Sequence, residues 1–335
     1  MEKVAISMRI RKNLLLVLAA LILIPFANAQ APTGLNHPIY LWPHGVPGAL
    51  GHEPADVPRM YAFVPQKQST STAVLVIPGG AYQIVAIGHE GVQVAKWLNA
   101  QGVTAFVLDY RVAPYRYPAE IEDGERAMRL IRSEAAEYGI DPNRIGVWGS
   151  SAGGHLASTL GTHCDEDTVK LKNPDAVDKL SCKPDFMVLA YPVITMKLPG
   201  THPGSRMNLL GPHPSAAMVE RYSNELHVTK DTPPTFLFGT TFDPVVPMAT
   251  NDLAFYEALV KAHVPAELHL YDFADHGCGL CGSYSTLKTW PMLLRKWLVQ
   301  RGWIPSTAPK PPAPAPNMPI WIPGLKGPGE PQPSK

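Results

Sequence analysis

Apolar residues in this chain gather into short runs, separated by longer stretches in which they recur every three or four positions. The runs at 73–77, 104–108, 145–148, 186–190, 235–239 and 267–271 are rich in β-branched and aromatic residues and read as strands. Most lack the alternation of a sheet with one wet face. A continuous apolar run suits a strand covered on both sides, as in a parallel sheet between helical layers. Helical spacing is found at 91–99, 119–138, 153–160, 248–262 and 287–301. In the second of these Ile121, Met128, Leu130, Ile131 and Ala135 form an apolar stripe, while Glu122, Arg126 and Arg132 are expected to point elsewhere.

Strand and helix alternating over most of the chain predict a single α/β domain with a mostly parallel sheet flanked by helices. Residues 197–231 interrupt the alternation with Pro, Gly and His and read as a small insertion near the mouth of the site. The stretch 304–335 is Pro-rich, including Pro311-Pro312-Ala313-Pro314-Ala315-Pro316, and reads as a disordered or polyproline tail in which Trp321 is the feature suited to docking. At the other end Lys3, Arg9, Arg11 and Lys12 precede an apolar run, Leu14 to Phe26, that closes in Ala27-Asn28-Ala29. This reads as a signal peptide at 1–29, leaving a catalytic domain at 30–303 and a secreted or periplasmic protein. The alternative is an uncleaved anchor, but the run is shorter than the roughly 20 residues that span a bilayer, so no stable membrane insertion is expected once the signal is removed.

Composition narrows the function. The chain of 335 residues is 45% apolar and 17% charged with a formal charge of +1, the profile of an ordinary globular protein. Without a clustered basic face, nucleic acid is not an expected partner. Four cysteines, Cys164, Cys182, Cys278 and Cys281, allow three pairings, of which Cys164–Cys182 with Cys278–Cys281 is favoured. A zinc site or a redox motif is the alternative for Cys278 and Cys281, but one C-x-x-C without a second ligand pair is weak support, and no metal is expected.

The run at 145–148 leads into Gly149-Ser150-Ser151-Ala152-Gly153 and then a helical pattern, the strand, G-x-S-x-G and helix order of a nucleophile elbow. Ser151 needs a base to take its proton. Of twelve histidines, His276 lies in Asp275-His276-Gly277, just beyond the last predicted strand. His155, on the helix after Ser151, is the rival and is better explained by packing; His269, inside a strand, reads as structural. Asp243 follows the run at 235–239 and is the candidate acid. Asp272 and Asp275 compete for that part but, so close in sequence to His276, are worse placed to reach its far nitrogen. The order Ser, Asp, His on three successive loops is that of α/β-hydrolases. Oxyanion donors are expected at Ala152 and at Gly80 or Ala81 in Pro78-Gly79-Gly80-Ala81-Tyr82, with Tyr82 as a substrate contact. That loop lacks the spacing of a nucleotide-binding motif, and no organic cofactor is expected.

These segments, together with Asp109-Tyr110-Arg111, Gly153-Gly154-His155 and Thr232-Pro233-Pro234-Thr235, resemble bacterial secreted carbohydrate acetylesterases over roughly residues 38–300, within the group of esterases that includes acetyl xylan and feruloyl esterases. The resemblance implies an α/β-hydrolase fold and hydrolysis of acetyl esters on plant polysaccharides such as xylan, the substrate being an acylated carbohydrate or small ester. It also implies that Asp109 and Arg111 are scaffold under the oxyanion loop. Two departures bear on the pocket: Ala274-Asp275-His276-Gly277-Cys278 replaces the usual Gly-Gly-His-Gly, and Phe242 stands where a small or acidic residue is common. A feruloyl or other carboxylesterase, a serine peptidase of the prolyl-oligopeptidase kind and a non-catalytic carbohydrate-binding protein are the alternatives; the intact Ser, Asp and His set argues against the last.

Overall fold

The computed structural model describes residue 35 and residues 37–164 and 174–306. The expected signal segment, most of the Pro-rich tail and Trp321 lie outside the described residues. Eight strands form one sheet: β1 (Ile39–Tyr40), β2 (Arg59–Phe63), β3 (Ala73–Ile77), β4 (Thr104–Asp109), β5 (Ile145–Ser150), β6 (Met187–Ala190), β7 (Thr235–Thr240) and β8 (Ala266–Tyr271). Their spatial order is β1-β2-β4-β3-β5-β6-β7-β8. From β3 onward neighbouring strands run parallel, while β1 and β2 pair antiparallel at one edge.

The runs of β3 to β7 are buried on both faces because helices cover both, whereas β8, at the edge of the sheet, is only partly buried. Ala73, Leu75 and Ile77 of β3 pack into one core with Ile121 and Met128 of α2 (Ala119–Ser133), Leu156 and Leu160 of α3 (Ala152–His163) and Phe255 and Leu259 of α6 (Asp252–Lys261). Val74 and Val76 turn the other way, toward Val94 and Leu98 of α1 (Gln93–Ala100) and Trp290, Leu294 and Trp297 of α7 (Trp290–Gln300). The alternation of the pleat thus assigns one strand's side chains to two cores.

Several elements depart from expectation. β1 and β2 carry no long apolar run; β2 lies between the two-residue edge strand β1 and β4, and its Arg59 pairs across the ladder with Asp109 at 3.1 Å. The helix expected over 119–138 stops at Ser133, and the chain then turns, with the amide of Ile140 bonded to the carbonyl of Ala135 and Gly139 in the left-handed region at φ 63°. Arg126, expected to point away from the apolar side of α2, is buried, with Asp175 and Asp178 at 2.6 and 2.7 Å and the Leu41 carbonyl at 2.9 Å. A charged side chain is retained there because every carbonyl and carboxylate it meets is an acceptor. Arg111 is likewise buried, gripping both oxygens of Asp123 at 2.8 Å.

The disulfides are Cys164–Cys182 and Cys278–Cys281. The segment 197–231 holds two short helices, α4 (Pro203–Leu210) and α5 (Ala216–Arg221). Ile304, the first residue of the expected tail, is buried against the α7 side of the sheet. Among the described residues no helix is long and apolar enough to cross a membrane.

Candidate active site

The buried strand β5 ends where α3 begins, and Ser151 occupies the corner with φ 52° and ψ −121°. A non-glycine residue with such a backbone persists only where its surroundings hold it. Here the Ser151 amide is bonded to the Ala190 carbonyl at 3.0 Å, and its carbonyl accepts from the amides of Gly154 and Val193. Gly153 is required by space: a Cβ there would collide with the carbonyl oxygens of Ile77 and Pro78. The turn lifts the Ser151 hydroxyl to the carboxyl end of the sheet.

The loops after β7 and β8 converge on that hydroxyl. His276 Nε2 lies 2.7 Å from Ser151 Oγ, and His276 Nδ1 lies 2.7 Å from Asp243 Oδ2. A carboxylate on Nδ1 sets the tautomer: Nδ1 carries the proton and Nε2 is free to accept from the serine. The other Asp243 oxygen accepts from the amides of Val245 and Val246, each at 2.8 Å. Burial raises the Asp243 carboxyl, but the hydrogen bond and charge of His276 with these two amides outweigh it and hold the group below the usual carboxylate range. Asp275 faces away, its carboxylate accepting from the Tyr284 hydroxyl at 3.0 Å, and Asp272 is exposed. Phe242 is also exposed, at 65%, beside the acid.

The loop after β3 closes on the serine from the other side, since a Cβ on Gly79 would sit 2.8 Å from the Ser151 Cβ. Its own polar groups are tied down: Gly80 accepts from the amides of Gln83 and Ile84, and the Ala81 carbonyl accepts from Asn208 Nδ2 on α4 at 2.8 Å. Gly80 has φ 128°, and a Cβ there would collide with the Ile84 carbonyl. The amides of Gly80, Ala81 and Ala152 meet no acceptor among the described residues. Unpaired N–H groups beside the Ser151 hydroxyl, one of them at a helix N-terminus, are suited to developing negative charge.

Tyr82 does not take the place expected of it. It is fully buried, and its hydroxyl donates to His155 Nδ1 at 2.8 Å while His155 Nε2–H donates to the Tyr222 carbonyl at 2.8 Å. Tyr82 therefore braces the loop from beneath and cannot touch substrate. His155 is a packed core residue, its pKa lowered to about 4 by burial. His269 is bonded to Glu267 within its strand. Arg111 and Asp109 do form scaffold, and Tyr110 between them donates to the Pro78 carbonyl at 2.9 Å.

Two residues escaped sequence reasoning. His202 caps α4 from the insertion, its Nδ1 accepting from the Ser205 amide and hydroxyl, and burial followed by the charge of His276 lowers its pKa. Its Pro203-Gly204-Ser205 context is the one signal of a cap that was available. Glu90 is buried with one oxygen 2.7 Å from the Gly79 amide and left no periodic trace. Among the described residues no cluster of His, Cys, Asp and Glu is arranged to hold a metal. A cleft of about 740 Å³ lined by Trp42, Arg116 and Tyr117 contains none of Ser151, Asp243 or His276.

Comparison with known proteins fits this geometry. The chain is 33% identical over 224 residues to an acetylxylan esterase of Xylanibacter ruminicola, covering 66% of this chain and 44% of that protein. It is 35% identical over 227 residues to endo-1,4-beta-xylanase B of Butyrivibrio fibrisolvens, covering 66% of this chain and 34% of the other. The chain thus spans less than half the length of these two relatives. A solved structure of an acetyl ester-xyloside bifunctional hydrolase from Caldicellulosiruptor lactoaceticus superposes with a TM-score of 0.74 at 42% identity, covering 82% of this chain and 98% of that one. The BD-FAE family model matches residues 60–259, more than half of the chain, which belongs to this α/β-hydrolase family.

Proposed function

We propose that the protein is a secreted serine carboxylic ester hydrolase that removes short acyl groups, acetyl foremost, from acylated plant polysaccharide such as xylan. The observation that carries the reading is the relay from Asp243 through His276 to Ser151, closed by two contacts of 2.7 Å opposite the unpaired amides of the Gly80–Ala81 loop and Ala152. The names of the relatives, an acetylxylan esterase, a xylanase and an acetyl ester-xyloside hydrolase, support the substrate class.

The chemistry follows from the geometry. Ser151 Oγ attacks the ester carbonyl carbon while His276 Nε2 takes its proton, and Asp243 stabilises the imidazolium. The carbonyl oxygen becomes an oxyanion facing the free amides, where each donor contributes about 2.7–4 kcal/mol to the barrier. Collapse expels the sugar alkoxide, which takes the proton from His276 and leaves an acyl-enzyme on Ser151. Water, deprotonated by His276, then attacks the acyl carbon, and the proton returns to Ser151 Oγ as the carboxylic acid departs and loses its own proton to solvent.

The test is release of acetate from acetylated xylan and of nitrophenol from nitrophenyl esters of increasing chain length, with Ser151→Ala alongside. Acetate release with a steep preference for acetyl, abolished in Ser151→Ala, supports the reading; wild-type protein that turns over no ester sinks it. Secretion is checked separately by amino-terminal sequencing of exported protein, expected to begin at Gln30.

A further inference from the structure

Glu90 takes no part in the reaction above, yet it is buried beneath the site, with 2% of the residue and 3% of its side chain exposed. It lies in the π-helical turn Ile87–Val92 that leads into α1. Its Oε2 accepts from the Gly79 amide at 2.7 Å. Its Oε1 accepts from the Tyr191 hydroxyl at 2.9 Å, and the Tyr191 oxygen in turn accepts from the Gly279 amide at 2.8 Å.

The direction of every proton in this chain is fixed. The two amides can only donate, and Tyr191 has one proton, which goes to Glu90. Both carboxylate oxygens therefore act as acceptors, which an ionised carboxylate does and a protonated one does only on one side. Burial, reinforced by the charge and hydrogen bond of Glu90, holds the Tyr191 phenol well above its ordinary pKa, so it stays a donor. Burying an anion is costly, and an apolar side chain of similar volume would pack at less cost if filling space were the whole task.

The two ends of the chain mark the purpose. Gly79 precedes the oxyanion donors Gly80 and Ala81, and Gly279 follows His276 by three residues, while the Tyr191 ring meets the His276 imidazole edge-on with centroids 5.2 Å apart. We propose that Glu90 is a positioning residue that locks the oxyanion loop and the His276 loop to each other, one through each carboxylate oxygen. The inference rests on the ester-hydrolase reading. A misplacement of about 1 Å between such groups can cost about 100-fold in rate. The other ionisable groups facing this pair are Asp243 and His202 near His276, and Tyr110 and the half-exposed His89, whose Nε2 is 3.9 Å from Glu90 Oε1.

Glu90→Gln keeps the volume and removes the charge; Tyr191→Phe cuts the same chain one bond further on. With active sites counted by labelling Ser151 to completion with a fluorophosphonate, each variant is expected to lower kcat for nitrophenyl acetate by about 10–100-fold with KM within about threefold of wild type. The double variant is expected to be no worse than the worse single one, as for residues acting as a unit. A kcat per site within about twofold of wild type in both variants overturns the inference, as do additive losses in the double variant. Should Glu90→Gln fail to fold, the Tyr191→Phe kcat decides. Activity retained by Ser151→Ala sinks the underlying reading; an inactive Ser151→Ala beside fully active Glu90 and Tyr191 variants sinks only this inference.

Discussion

The hydroxyl of Tyr82 donates to Nδ1 of His155 at 2.8 Å, joining two residues 73 positions apart beneath the candidate oxyanion loop. Neither side chain reaches solvent. Tyr82→Phe leaves the imidazole with a buried acceptor and no donor, and is expected to cost about 1–3 kcal/mol of stability. Chemical denaturation measures that cost, and KM for nitrophenyl acetate should stay near the wild-type value; a large rise in KM would return Tyr82 to the substrate pocket.

Asp243→Asn is the sharper test of the relay. An amide on His276 Nδ1 allows the wrong tautomer, and kcat is expected to fall by about 10⁴-fold with the fold intact. Near-ultraviolet circular dichroism alongside the kinetics separates loss of chemistry from loss of structure.

Two buried groups make stability depend on pH in opposite senses. His155 has its pKa lowered from 6.5 to about 4 by burial, partly offset by the Tyr222 carbonyl. The unfolded chain therefore binds a proton that the native one refuses, and stability is lost as pH falls from about 6.5 through about 4.

Glu120 works the other way. Burial pushes its carboxyl from 4.5 up to about 8, against the lowering by its own backbone amide, and neither oxygen is hydrogen-bonded to another of the described residues. The native state keeps a proton that the unfolded chain releases, so stability declines as pH rises from about 4.5 to about 8 and is level above. Glu120→Gln should flatten that decline in melting temperature; an unchanged slope would contradict the assignment.

The disulfides should divide between stability and activity. Cys164–Cys182 links residues 18 apart, and replacing both by Ser is expected to cost about 3 kcal/mol by loop entropy with kcat unchanged. Cys278–Cys281 closes a loop of only three positions beside His276, where the entropy term is small. Its double Ser variant should lower kcat more than melting temperature.

Much of the fold was legible because burial on both faces writes itself into composition. The runs at 73–77, 145–148 and 235–239 had to be continuously apolar to be sandwiched between helices, and each is a strand. β2 was not legible: it lies next to the two-residue edge strand β1 and three of its five residues are only partly buried, so Arg59 is tolerated and no continuous run is needed. The end of α2 was misplaced because 134–138 keep a helical pattern, and it is the left-handed Gly139 that completes the turn.

That Ser151, Asp243 and His276 meet could be expected from the chain because each follows a strand closely, so its place at the carboxyl end of the sheet is set by local sequence. The partners of Tyr82, Glu90 and Arg126 could not. Each reaches across 49 to 101 residues of chain, to His155, Tyr191 and Asp175, and such pairings leave no period in the sequence. Hydrophobic periodicity determines which elements form and which faces they bury, since that depends on neighbours a few residues apart. Which polar groups meet in the interior, and hence how the oxyanion loop and the histidine loop are held in register, is decided when the elements pack, because only then must each buried donor and acceptor find a partner.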